Sequence, residues 1–135
     1  MTREYEAEER RRVSLLLDNR ALWSEATARQ FERGVVLAAS LVAYLLEQGH
    51  QVELVTASGK VPFGEGAPHL MRVRRALATV ALLDPAKAPP HLPPTEADSL
   101  RMQVLYGVGQ APASDGEILR VSVEEFATEL DTTLG

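Results

Sequence analysis

Apolar positions fall into short blocks separated by polar turns, and their spacing predicts alternating strands and helices. Val13-Ser14-Leu15-Leu16-Leu17 is a β-suited run ended by the turn pair Asp18-Asn19, which predicts a buried first strand. Ser24 is placed to cap a helix running from about Glu25 to Gln48, with Gly49 as its stop. The second half of that helix, VVLAASLVAYLL, is apolar nearly all round, which predicts cover on several sides. Gln51 to Ala57 predicts a second strand with Glu53 partly exposed. Ser58-Gly59 predicts a turn, and Lys60 to Phe63 a short antiparallel edge strand, where Pro62 is tolerated. Pro68 suits the first turn of a second helix, whose stripe is Leu70, Val73, Leu77 and Val80, with Arg72 and Arg75 off it.

The stretch 84–98 holds five of the eight prolines and reads as an extended connection. Met102 to Val108 predicts a third core strand, Gly107 to Asp115 a loop, and Ile118 to Val121 a fourth core strand. Ser122 and Glu125 have capping-box spacing and predict a last helix to about Leu130. The expected division is a charged lead-in at 1–12, one α/β domain at 13–131 with the Pro-rich connection at 85–98, and a tail at 132–135. The expected fold class is α/β, an open layer with a mainly parallel sheet of about four core strands plus the edge strand. The link between the last two strands is too polar and glycine-rich for an ordinary helical crossover.

Length and charge narrow the function classes. At 135 residues, the chain is expected to form one domain that needs no covalent staple. The absence of cysteine excludes thiol catalysis and thiolate metal sites and fits a reducing compartment such as the cytoplasm. A formal net charge of −5 argues against nucleic acid as a partner. The longest apolar run falls short of the roughly 20 residues that cross a bilayer. The lead-in, with four acids and four arginines, lacks the apolar segment of a secretory signal.

Several quoted segments in order, REYEAE, RRVSLLLDN, VVLAASLVAYLLEQGHQVELVTASG and HLMRVRRALATVALL, carry a family likeness. Together they resemble the C-terminal region of the bacterial domain-of-unknown-function 58 family, over roughly residues 3–83. That region is similar to a shortened von Willebrand factor A domain. The resemblance implies a Rossmann-like sheet with the first strand central and the Lys60–Phe63 strand at the antiparallel edge. It also implies a fragment of a longer, membrane-tethered chain that acts as a non-enzymatic interaction module. The partner it implies is a MoxR-type AAA+ ATPase.

Von Willebrand A domains hold Mg²⁺ through Asp-x-Ser-x-Ser after the first strand, because the ion needs hard oxygen ligands in octahedral array. Here the aligned residues are Asp18, Arg20 and Leu22, so both serine positions are lost and the site is expected to be degenerate. No catalytic residue and no cofactor are expected. Gly107-Val108-Gly109 lacks the third glycine and the helix start of a phosphate cradle, and Gly59-Lys60 lacks the rest of a phosphate loop. His50, His69 and His91 match no zinc spacing and read as surface or boundary residues. The serines form no nucleophile elbow. Glu8/Glu9 and Glu124/Glu125 read as surface charge, and Arg72, Arg74 and Arg75 as a solvated helix face.

Trp23, the single tryptophan, sits in the loop at the carboxyl end of the first strand, where open α/β sheets bind ligands. Asn19, Arg20 and Trp23 are therefore the partner-binding candidates. Three readings compete with the interaction module: a small-ligand-binding or enzymatic Rossmann-like domain, a metal-dependent adhesion domain, and a structural segment of a larger chain. Nothing in the sequence specifically indicates a homo-oligomer. Lys60 and Pro62 argue against pairing through the edge strand.

Overall fold

The computed structural model describes residues 11–90, 92, 99–107 and 118–123. The elements in chain order are β1 (Arg12–Leu16), α1 (Glu25–Glu47), β2 (Gln51–Thr56), β3 (Gly59–Gly64), α2 (Gly66–Thr79), β4 (Ser99–Leu105) and β5 (Leu119–Ser122). The strands form one mixed sheet in the order β3-β2-β1-β4-β5. β1 runs parallel to β2 on one side and to β4 on the other, and β4 runs parallel to β5. β3 returns antiparallel to β2 at the edge, with a bulge between Val52 and Leu54.

Alternation along the strands divides the sheet into two faces. Val13, Leu15, Val52, Leu54, Met102 and Val104 join Phe31, Leu37, Val42, Val73 and Leu77 of the helices in the main core. The opposite face carries Ser14, Leu16, Glu53, Val55, Arg101 and Gln103, all buried. Leu16 and Val55 form a small second cluster there with Leu92.

Local chemistry sets the helix ends. Ser24 is extended, and its hydroxyl accepts the Thr27 N–H at 3.0 Å. At the other end Gly49 takes a φ of 90°, a left-handed turn that stops α1 where the sequence places the stop. Gly34 on α1 lies against Tyr106, whose ring also meets Phe31 edge-on at a centroid distance of 5.2 Å.

The apolar half of α1 is covered by the sheet and by α2, which bury Leu37, Ala38, Val42, Leu45 and Leu46, while Val36 and Tyr44 stay 61% and 59% exposed. Three expectations need correction. Glu53 is buried rather than half-exposed, because β2 is covered on both faces. His69 is buried on the stripe of α2, with Nε2 at 2.6 Å from the Val52 carbonyl oxygen. β4 begins at Ser99, before Met102, because Ser99, Arg101 and Gln103 alternate with apolar residues and continue the pairing with β1. The predicted last helix, the 107–115 loop beyond Gly107, His91, Glu8/Glu9 and both chain ends lie outside the described residues.

The His69 ring is fixed by one contact. A ring nitrogen facing a carbonyl must carry a hydrogen, so Nε2–H donates to the Val52 carbonyl, while Nδ1 is buried without a hydrogen bond and packed on Gly64. A methyl group at position 64 would run into the imidazole. Gly64→Ala is expected to cost about 1–3 kcal/mol in urea denaturation. That penalty should shrink in a His69→Ala background, since the clash needs the ring.

Candidate interaction site at the carboxyl end of the first strand

The chain leaving β1 is tied down from Leu17 to Ala21. Leu17 N–H donates to the Val55 carbonyl at 2.9 Å, extending the sheet contact by one residue. Asp18 then closes a ring with Arg20: the guanidinium Nε and Nη2 donate to Oδ1 and Oδ2 at 3.0 and 2.9 Å, and the Arg20 N–H donates to Oδ1 at 3.1 Å. The remaining guanidinium arm, Nη1, donates to the Lys87 carbonyl at 3.1 Å. The hydrogen bond with Asp18 lifts the Arg20 pKa further above its ordinary value.

Asn19 is fully buried, and its amide is used inside the fold. Nδ2 donates to Ser58 Oγ at 2.9 Å and to the Ala81 carbonyl at 2.7 Å, while Oδ1 accepts the Ala57 N–H at 2.8 Å. Backbone bonds add to this: Leu83 N–H donates to the Asn19 carbonyl at 2.7 Å and Ala21 N–H to the Leu83 carbonyl at 3.0 Å. Tyr106 reaches in from the end of β4, its hydroxyl donating to the Asp18 carbonyl. Burial, and next the Asp18 charge, push the Tyr106 phenol up to about 12, with Arg20 opposing.

Two residues escape this bracing. Leu22 is 79% exposed and Trp23 71%, on a span closed by Ala21 on one side and the Ser24 cap on the other. Of the partner-binding candidates, then, Trp23 faces solvent, Arg20 is held by Asp18, and Asn19 has no surface to offer. Leu22, which aligns with a lost metal ligand, is the exposed residue that joins Trp23.

The residues present do not fit a divalent cation. Both carboxylate oxygens of Asp18 are held by a guanidinium, a positive charge that would repel the ion. Among the described residues no group of three His, Cys, Asp or Glu side chains could hold a metal. Of the glycine-rich stretch after β4 only Gly107 is described. Gly59 and Lys60 begin β3, and Lys60 Nζ lies 3.8 Å from Glu53 Oε2. Arg72, Arg74 and Arg75 are exposed on α2, and His50 accepts the Arg11 N–H at Nδ1.

Sequence reasoning also missed the polar row across the sheet. Ser14 Oγ donates to the buried Glu53 Oε1 at 2.7 Å. The signal was present: Glu53 is the single charge inside Val52-Glu53-Leu54-Val55, a run apolar enough to be buried on both faces. No protein family, curated protein or solved structure matches this chain. Among the described residues no helix is long and apolar enough to cross a membrane.

Asn19→Ala is expected to lower stability by about 2–4 kcal/mol, because partners inside the fold lose their hydrogen bonds together. Asn19→Asp should not rescue it, since a carboxylate cannot donate to the Ala81 carbonyl. Urea titration checks both. The Tyr106 phenol sits higher in the folded chain, about 12, than its ordinary 10.0. An acid raised on folding gives stability that is complete below the unfolded value and is lost as pH climbs towards the folded one. Thermal stability should therefore fall from pH 10.0 towards 12, and Tyr106→Phe should flatten that fall.

Proposed function

We propose that this chain is a non-enzymatic protein-interaction module of von Willebrand A-like type, with Leu22 and Trp23 as its contact residues. The observation that carries the reading is an exposed indole beside an exposed leucine on a backbone that has little freedom left to lose. Tryptophan is the side chain most enriched at binding hot spots, and a braced loop loses little entropy on docking. The sheet, with its first strand central and an antiparallel edge, is compatible with the domain-of-unknown-function 58 resemblance. Through that resemblance the partner is a MoxR-type AAA+ ATPase, met in the cytoplasm. The Asp18–Arg20 pair takes the place of the metal in this reading: it holds the loop in shape rather than binding the partner.

The test uses the tagged chain in native lysate, with and without ATP, beside a Leu22→Ala/Trp23→Ala variant. Both side chains are exposed, so the variant should keep its stability within about 0.5 kcal/mol. The expected result is an AAA+ ATPase that the native chain retains and the variant loses. Trp23 is the only tryptophan, so adding that purified ATPase should shift the chain's indole emission to the blue as the ring is desolvated. An ATPase retained equally by the variant, or no ATPase at all, would overturn the proposal.

A further inference from the structure

A second exposed surface lies away from the β1 loop, on the helices. α1 and α2 pack side by side and leave between them an open groove of about 590 Å³. Its wall is mainly apolar, with Val36, Ala43 and Tyr44 from α1 and Leu77 from α2. Val36 and Tyr44 stand out from it, more than half exposed, two turns apart on one side of α1. The same groove carries one acid, Glu47 on α1, and one base, Arg74 on α2. Among the described residues, neither Glu47 nor Arg74 has an ion-pair partner.

From this arrangement we infer that the α1–α2 groove is the interface of a two-fold symmetric homodimer. A surface that meets a copy of itself must supply both halves of every contact. This one does. Val36 and Tyr44, more than half exposed, line the same groove as Ala43 and Leu77, so two copies related by a two-fold axis can bury these residues against one another. Glu47 and Arg74 are opposite charges on the two walls, so a two-fold axis sets Glu47 of each copy against Arg74 of the other. A partner of one charge sign would satisfy only one wall and leave the other charge desolvated and unpaired. The dimer leaves the Leu22–Trp23 loop, at the amino-terminal end of α1, outside its contact.

Sedimentation velocity on the full chain over a wide concentration range tests this. The expected result is a reversible monomer–dimer equilibrium. Glu47→Arg alone and Arg74→Glu alone should each weaken dimerisation about tenfold, because symmetry counts every repulsion twice. The double variant, Glu47→Arg with Arg74→Glu, should restore it. Each single variant should melt like the native chain under dilute, monomeric conditions. A monomer at every concentration would overturn the inference, and so would a dimer indifferent to the single substitutions or unrescued by the double one. A monomer whose melting temperature drops with either substitution would mean that the chain covers the groove itself, and would also overturn it.

Discussion

The side chain of Asn19 ties together parts of the chain that approach from different directions. Asn19 lies on the segment just after β1, the turn between β2 and β3 passes beside it at Ala57 and Ser58, and the segment after α2 passes at Ala81. A primary amide suits this position because it can donate twice and accept at the same time. The group is wholly buried. Once Asn19 is seated, its backbone pairs with Leu83, and the loop that follows has its path decided before Arg20 closes on Asp18.

That sequence of constraints gives the Leu22–Trp23 pair its character. Exposed apolar residues on a loose loop would collapse onto the nearest surface or sample many positions. Here the Asp18–Arg20 ring, the Arg20–Lys87 bond and the Ser24 cap hold the chain on both sides of the pair. The ion pair is half-buried and bidentate, the geometry in which an arginine–carboxylate contact is worth more than a surface pair.

Much of the scaffold was legible in the sequence, and the reasons are particular. The long helix is bounded by Ser24 and Gly49, residues whose local chemistry stops a helix whatever surrounds it. The Ser58-Gly59 turn and Pro62 marked the antiparallel edge for the same reason. What escaped were partnerships over long chain separations. Nothing near Asn19 in the sequence announces Ala81, nor does anything near Tyr106 announce Asp18. His69 reads as a boundary residue in the sequence because a lone histidine gives no hint that the Val52 carbonyl will accept its N–H. β4 begins at Ser99 rather than Met102, because the polar Ser99 and Arg101 ahead of the apolar run also pair with β1, Arg101 with its side chain buried.

The Ser14–Glu53 bond also governs which sheets the chain can build. β1 and β2 are parallel and bury apolar residues on both faces, so hydrophobicity alone hardly distinguishes the native pairing from a neighbouring one. A slip of one residue would turn Glu53 into the helix-side core among Val13 and Leu15, with no hydroxyl opposite it. A slip of two would keep the face and lose the hydrogen bond. The carboxylate thus works as a proofreading mark: it contributes modestly to the correct sheet and heavily penalises every other alignment of the same two strands.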